Sequence, residues 1–200
     1  LCERDVPISF FSMGGWFYGL ARGHGLTNVF TRIKQFARAA DPEQSLPLAR
    51  LFVYGKIRNQ RTLLRRNHVE PPPLVLRILK HAASAALVAP NHASLLGIEG
   101  AAALSYFRHF GGMIKGPEIQ DEIPGLDDPP PEEAETVGGP PAQALFTFDF
   151  KTRNRRPPRD PVNALLSLAY SLLARDCTIA ANAVGFDPYV GFFHQPRFGR

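Results

Sequence analysis

The sequence predicts a mainly α-helical protein, in which a long helical domain follows the remnant of a small N-terminal β domain. Three observations lead to this fold class. Apolar residues recur with helical spacing after residue 28, strand-like alternation is confined to residues 5–21, and 44% of the 200 residues are hydrophobic, enough for a packed core. We therefore divide the chain into residues 1–24, the end of the β domain, and residues 25–200, the helical domain.

The predicted β elements are two short strands around a turn. Val6, Ile8 and Phe10 alternate along the first strand, Gly14-Gly15 interrupts the pattern, and strand-forming aromatic residues follow. Two strands alone do not make a stable sheet. We therefore expect earlier strands of the same domain to precede Leu1, and we find no signal peptide at this end of the chain.

Five helices are predicted in the second domain. A run of three prolines ends the second of them, and Gly111-Gly112 is expected to end the fourth. Asp160 is a suitable N-cap for the fifth helix, and Pro161 suits its first position. The predicted ranges are 28–40, 46–67, 74–89, from Asn91 or Ser94 to about Phe110, and 160–182.

A long loop is predicted between the fourth and fifth helices. Residues 116–145 contain PPP, GGPP and the acidic stretch EEAE. Such a composition buries little apolar surface, so we expect a mobile surface loop.

The charge distribution indicates a polyanionic partner. The net charge is +5, but residues 116–150 hold nine of the 18 acidic residues and no Lys or Arg, so the rest carries about +14. This asymmetry suits nucleic acid, although it would equally serve solubility. Cys2 and Cys177 lack metal-ligand spacing, which fits a reducing cytoplasm. No run approaches the roughly 18 apolar residues of a membrane span.

Glu99 is a single carboxylate within the apolar segment LLGIEGAAALSYF. Burying an unpaired charge is costly, so a cation, a metal or an opening to solvent must compensate it, unless Glu99 simply faces water between two packed faces. Gly97 and Gly100 flank it at a cost of about 1 kcal/mol each in a helix interior, which suggests close approach by another backbone or by a ligand.

His194 lies among aromatic residues in GFFHQPRFGR. A lone histidine in such a setting is more often structural than a ligand. Arg197 and Arg200 add charge that suits phosphate.

Two basic segments are candidates for binding phosphates. Residues 151–159 place five bases before a helix N-terminus, which attracts anions, although a solvated basic loop is as good an interpretation. Arginines of the second helix fall on one side of it. The bases of the first segment are Lys151, Arg153, Arg155, Arg156 and Arg159, and the arginines of the helix are Arg50, Arg58, Arg61 and Arg65.

The fifth helix carries one polar stripe. Asn163, Ser167 and Tyr170 follow at intervals of four and three residues on a mostly apolar helix. Such a stripe more often caps buried groups than binds a ligand.

Five segments occur in an order that resembles the CRISPR-associated integrases, the Cas-one family. CERDVPISFFSMGGWFYG resembles the end of their β domain, and ARLFVYGKIRNQRTLLRRN resembles their first long helices. LLGIEGAAALSYF resembles the segment with the family's metal-binding glutamate. RNRRPPRDPVNALLSLAYSLL resembles the helix that follows, and GFFHQPRFGR the histidine segment. The similarity covers nearly the whole chain apart from the acidic loop.

The resemblance implies a helical catalytic domain with a metal site. Glu99 and His194 match two catalytic, metal-binding positions, and the third ligand, an acidic residue, is expected beyond Arg200. Oxygen ligands with one imidazole suit Mg²⁺ or Mn²⁺. Asn163, Ser167 and Tyr170 would support the site. The expected DNA-binding residues are Arg58, Arg61, Arg65, Arg153, Arg155, Arg156, Arg159 and Arg197.

The resemblance also implies an activity and partners. A DNA endonuclease and integrase of this kind inserts spacer DNA into a repeat array by transesterification, in the cytoplasm of a prokaryote. The expected partners are double-stranded DNA, a second copy of the chain, a Cas-two-type dimer that bridges two integrase dimers, and a Cas-four-type nuclease, fused or separate. We expect no membrane association. With one ligand missing, the 200-residue chain alone should be nearly inactive.

Two other interpretations fit parts of the sequence. A non-catalytic helical DNA-binding module would share the charge pattern without a paired Glu99 and His194. A structural scaffold would use the charge only for solubility.

Overall fold

The computed structural model describes residues 4, 6, 8–13, 17–21, 29–114, 150–154 and 157–194. Within them, two strands form an antiparallel hairpin that pairs Ile8 with Ala21. Five helices follow, so the predicted mainly α fold class is confirmed. The elements are β1 Ile8–Phe11, β2 Phe17–Ala21, α1 Val29–Ala40, α2 Pro42–Asn67, α3 Pro73–Leu87, α4 His92–Arg108 and α5 Pro161–Ala183.

Helix α2 begins four residues before its predicted start at residue 46. Asp41 caps it, because its carboxylate accepts a hydrogen bond of 2.9 Å from the backbone N–H of Glu43. Pro42 occupies the first helical position, where a missing N–H costs nothing. The prediction overlooked this Asp-Pro start because Pro47, inside the helix, reads as a breaker.

The core lies where α2, α3 and α4 pack together. On α2, buried apolar residues recur at intervals of four and seven, which places them on one face of the helix. Apolar residues of α3 and α4 close over this face. The principal core residues are Ala49, Val53, Ile57, Leu64, Leu79, Ala83, Leu95, Ala102 and Tyr106.

The end of α4 differs from its predicted form. The helix stops at Arg108, and a short 3₁₀ helix, Phe110–Met113, follows it. Gly112 lies directly against the imidazole of His68, so that any Cβ at this position would overlap the ring. Gly112 therefore packs closely against the end of α2, and it does not end α4 as predicted, because the helix stops at Arg108 before the glycine pair.

Helix α5 confirms the predicted helix 160–182, and Asp160 caps it through a 2.7 Å bond from the Asn163 N–H. Only Val162 and Asn163 of the helix are buried, while Leu165, Leu168 and Leu173 are exposed. In the part of the chain that the structure describes, α5 is the one helix long and apolar enough to cross a membrane, by length and composition alone. A single helix of this kind is weak evidence for a span.

Several sequence predictions fall outside the described residues. They are the acidic loop 116–145, the turn at Gly14-Gly15, and the DNA-binding candidates Arg155, Arg156 and Arg197.

Candidate functional site

Glu99 faces α2 from the middle of α4. Its carboxylate forms an ion pair with the ammonium group of Lys56, which belongs to α2. The Glu99 side chain is 16% exposed and that of Lys56 is 49% exposed, so the pair lies at the edge of the α2–α4 contact. The expected compensation of this carboxylate is therefore present, and within the chain it is supplied by Lys56.

Glu99 belongs to a polar stripe on α4 that also includes His92 and Tyr106. The three residues are seven apart, so each lies only about 20° around the helix from the last. Each one meets a different segment: His92 contacts Ser45 and Phe192, Glu99 contacts Lys56, and Tyr106 interacts with Tyr170. One face of α4 thus joins α2, α5 and the histidine segment.

Two side chains hold the segment that carries His194. Nε2 of His92 lies 3.2 Å from the carbonyl oxygen of Phe192 and 3.3 Å from Oγ of Ser45. The buried Gln35 of α1 donates 2.8 Å hydrogen bonds to the carbonyls of Asp187 and Val190 and accepts one from the N–H of Asp187. These bonds tie the segment to α1 and to the start of α4, which His92 in turn joins to Ser45 near the start of α2.

His194 is exposed beside this anchored segment. Its ring lies 4.7 Å from that of Phe193, centroid to centroid, and it borders a shallow pocket of about 400 Å³ that Phe36 and Pro42 also line. The described residues show no ion pair or hydrogen bond between Glu99 and His194 and no group of three potential metal ligands. A metal site shared by these two residues stays a prediction.

Tyr106 connects the polar stripe to α5. Burial raises the pKa of its phenol to about 12, and the neighbouring Tyr170 adds to the effect. The phenol is therefore neutral at physiological pH and serves as a polar group within the core.

The polar stripe of α5 converges on Arg153. The guanidinium of Arg153 donates hydrogen bonds of 2.8 Å to Oδ1 of Asn163 and 3.2 Å to Oγ of Ser167, and it lies over the ring of Tyr170. Asn163 is fully buried, and its amide also bonds to the carbonyl of Thr152. The polar stripe therefore binds the guanidinium of Arg153 within the chain, in line with the expectation that such a stripe more often caps buried groups than binds a ligand.

Asp160 completes this cluster at the start of α5. Desolvation opposes ionisation and is the largest single effect, but hydrogen bonds from Asn163 and Asn154 together hold the pKa of Asp160 below its ordinary value. The cluster fixes the basic segment 151–154 to the helix.

The basic residues fall into two groups. Nε of Arg61 donates a 3.0 Å hydrogen bond to the carbonyl of Leu76, and Arg153 donates hydrogen bonds to α5. Both guanidinium groups therefore stabilise the fold. Arg58, Arg65 and Arg159 are exposed, and Arg58 lies over the ring of Tyr54. The role of each arginine in DNA binding stays a prediction.

Gly97 and Gly100 are not required by packing within the described chain. A Cβ built at either position would have no atom within 4 Å among the described residues. Among the described residues, the expected approach of another backbone is therefore absent at both positions.

Sequence reasoning missed Lys56, His92 and Gln35. A usable signal existed for the first two, because Lys56 borders the apolar face of a long helix and His92 precedes Glu99 by seven residues. Gln35 gave no signal, since its partners lie more than 150 residues away.

The residues present fit a divalent metal ion. Glu99 offers a hard oxygen ligand that already balances a cation, and His194 offers an accessible imidazole. The half-exposed ammonium of Lys56 is the only group of the described chain paired with that carboxylate, so a small ion would displace no packed side chain.

The described residues form a basic, mainly helical protein with a lysine-paired glutamate on a central helix and several exposed arginines. Comparisons with known proteins place it among the CRISPR-associated proteins. The family described as "CRISPR associated protein Cas1" matches residues 1–125 and 142–200, and the chain belongs to this Cas1 family. The unmatched residues lie within the acidic segment.

Two curated relatives illustrate the match. The chain is 46% identical over 204 residues to a CRISPR-associated exonuclease Cas4/endonuclease Cas1 fusion of Geobacter sulfurreducens, covering 99% of this chain and 32% of the relative. It is 39% identical to CRISPR-associated endonuclease Cas1 3 of Thermus thermophilus, covering 99% of this chain and 49% of the relative. The chain thus spans about a third of the fusion and about half of the single-function relative.

Solved structures share the fold. A "Partial Cas6-RT-Cas1--Cas2 complex" matches with a TM-score of 0.68 and 25% identity, over 100% of this chain and 52% of that one.

Proposed function

We propose that this chain forms the helical core of a metal-dependent DNA endonuclease and integrase that inserts spacer DNA into a CRISPR repeat array. The observation that carries the proposal is the partly buried carboxylate of Glu99, paired with a cation at the edge of the α2–α4 contact, in a chain of the Cas1 family. Relatives named as CRISPR-associated endonucleases support the nuclease activity.

Glu99 and His194 would hold Mg²⁺ or Mn²⁺ together with an acidic residue from outside the 200 residues. When bound, such an ion supplies charge stabilisation to the phosphodiester and to the leaving oxygen. Glu99 contributes an ionised carboxylate that is already fixed between two helices. His194 contributes a ring nitrogen at the mouth of a pocket. The segment that carries His194 is anchored by Gln35 and His92, which would limit its movement during the reaction.

The exposed bases would position the DNA. Arg58, Arg65 and Arg159 have guanidinium groups available to phosphates, and phosphate contacts fix the register of a duplex without reading its sequence. The 3′-hydroxyl of the incoming DNA would then attack a phosphodiester at the repeat boundary. Water attacking in its place would give cleavage at the same site.

The proposal includes partners and a location. The expected partners are double-stranded DNA, a second copy of the chain and a Cas2-type dimer, and the Cas1–Cas2 complex among the structural neighbours supports the last of these. The Cas4/Cas1 fusions among the relatives support a Cas4-type nuclease as a further partner. The expected location is the cytoplasm of a prokaryote.

The test is strand transfer of a 3′-hydroxyl DNA end into a labelled repeat by the full-length protein, beside a DNA-binding titration. Glu99→Gln and His194→Ala should each abolish strand transfer in Mg²⁺ or Mn²⁺ while leaving DNA affinity largely intact, because the arginine contacts remain. Chelator should silence the unchanged protein. The 200-residue chain alone should bind DNA but react very slowly, since two protein ligands hold Mg²⁺ poorly.

A non-catalytic DNA-binding module is the second candidate, and the ion pair of Glu99 with Lys56, which compensates the carboxylate without a metal, favours it. Salt-dependent DNA binding by the full-length protein without any strand transfer or cleavage in Mg²⁺ or Mn²⁺ would establish that alternative.

A further inference from the structure

The ammonium group of Lys56 has no part in the function proposed above. It is paired with Glu99 across the contact of α2 and α4, whereas the other ion pair among the described residues joins the neighbours Arg175 and Asp176. A carboxylate that is to bind a divalent ion thus already has a positive partner on the opposite helix.

The ammonium and a divalent ion cannot both hold Glu99 without repelling each other. A lysine ammonium is a compact, hydrated charge on a flexible four-carbon stem, and the Lys56 side chain is half exposed. It can therefore move into solvent without disturbing the core, which lies on the buried face of α2 with Val53 and Ile57.

A displaced ammonium would meet phosphate. If Glu99 acts on DNA, a backbone phosphate must lie beside it, and lysine binds phosphate as a point charge. The Glu99–Lys56 pair lies at the edge of the α2–α4 contact, where the half-exposed Lys56 side chain reaches solvent, so a phosphate can approach it from that side.

We propose that Lys56 is the exchangeable counter-ion of Glu99: it balances the carboxylate in the metal-free protein, gives way to the divalent ion, and then binds a phosphate of the DNA. This inference rests on the proposed function, because it requires Glu99 to be a metal ligand. Lys56 is thus assigned to the positioning of metal and DNA, and the chemistry itself remains with Glu99 and His194.

The first experiment measures the affinity of the full-length protein for Mn²⁺ alone, by electron paramagnetic resonance in the absence of DNA. Lys56→Met removes the competing charge and should tighten Mn²⁺ binding by roughly tenfold, the effect of one unit charge about 6 Å from a divalent ion in a water-like medium. Lys56→Arg should bind Mn²⁺ as the unchanged protein does. Lys80→Met, on the exposed side of α3, is the matched control and should change nothing.

The second experiment measures DNA binding against salt with Mn²⁺ present. Lys56→Met should lower the slope of log affinity against log salt by roughly 0.9, the value of one lost phosphate contact, and should slow strand transfer despite tighter metal binding. Lys56→Arg should keep the salt slope and the strand-transfer rate of the unchanged protein. Lys80→Met should keep them as well.

The two proposals fail in different ways. If Glu99→Gln loses Mn²⁺ binding but Lys56→Met has the Mn²⁺ affinity and salt slope of the unchanged protein, the role of Lys56 is wrong and the proposed function stands. If Glu99→Gln binds Mn²⁺ normally, the metal-ligand assignment itself is wrong. Should Lys56→Met lose its helical circular dichroism, Lys56→Gln replaces it in both measurements and is judged by the same outcomes.

Discussion

Single residues of α4 carry the connections between distant parts of the fold. His92, Glu99 and Tyr106 share one face, yet each has a different kind of partner: a backbone carbonyl, an ammonium and a second phenol. Polar groups on an otherwise apolar helix are costly unless paired, so their pairing fixes where the neighbouring segments lie.

Tyr106 gives a pH dependence that can be measured. Because burial raises the pKa of its phenol from 10.0 to about 12, the folded protein keeps a proton that the unfolded chain loses. The free energy of unfolding should therefore fall as pH rises from about 10 to about 12, by about 1 kcal/mol at pH 11 from this group.

Urea unfolding at pH 9 and pH 11 checks this prediction. Tyr106→Phe should show a smaller loss between the two pH values, whereas Tyr189→Phe, at an exposed position, should show the loss of the unchanged protein. Equal losses in Tyr106→Phe and the unchanged protein would contradict it.

At the scale of single elements, the side-chain amide of Asn163 stabilises the start of α5. Asn163→Ala would leave the N–H of Asn154 and the carbonyl of Thr152 without their partner, and would remove the bonds of the amide to Arg153 and Asp160. Unpaired buried groups cost about 1 to 3 kcal/mol each, so we expect a loss of about 3 kcal/mol in the free energy of unfolding. Ser171→Ala, at an exposed position of the same helix, should lose less than about 0.5 kcal/mol. Chemical denaturation compares the two, and equal losses would show that the cluster is not a structural anchor.

Replacing glycines in and near α4 with alanine should raise the free energy of unfolding at two positions and lower it at a third. Gly97→Ala and Gly100→Ala should each raise the free energy of unfolding by about 0.5 to 1 kcal/mol, because both positions are helical and a Cβ there meets no described atom. Gly112→Ala should destabilise the protein, since its Cβ would overlap the ring of His68. Thermal melts of the three variants test the contrast. A destabilised Gly97→Ala would show that another segment covers that side of α4 in the folded protein.

Across the whole molecule, some arginines form internal hydrogen bonds and others are exposed. Measurements of DNA binding and stability should distinguish the two groups. Arg65→Ala and Arg159→Ala remove exposed charges, so each should weaken DNA binding for all sequences alike and lower the salt slope by roughly 0.9 without affecting stability. Arg61→Ala and Arg153→Ala remove internal hydrogen bonds, so each should lower the melting temperature. Binding titrations at several salt concentrations, paired with thermal melts, measure both effects. A normal melting temperature for Arg153→Ala would show that its bonds to α5 carry little stability.

The sequence by itself determined the helices and the need for a partner at Glu99. The starts of α4 and α5 were predicted because capping depends on neighbours such as Asn91 and Asp160, which are adjacent in sequence. A carboxylate within an apolar helix requires compensation wherever the helix packs, so this too could be read locally. The resemblance of five ordered segments added the family, which the comparisons confirm.

Only the tertiary structure decided which groups meet. That Lys56 pairs with Glu99, that Gln35 holds the segment before His194, and that Arg153 turns inward to Asn163 depend on how the helices pack against one another. Such contacts join residues far apart in the chain, and their geometry follows from the shape of the shared core. For the same reason charge alone did not distinguish arginines that stabilise the fold from those that are exposed, because both kinds occur on the same helix face and in the same basic segment.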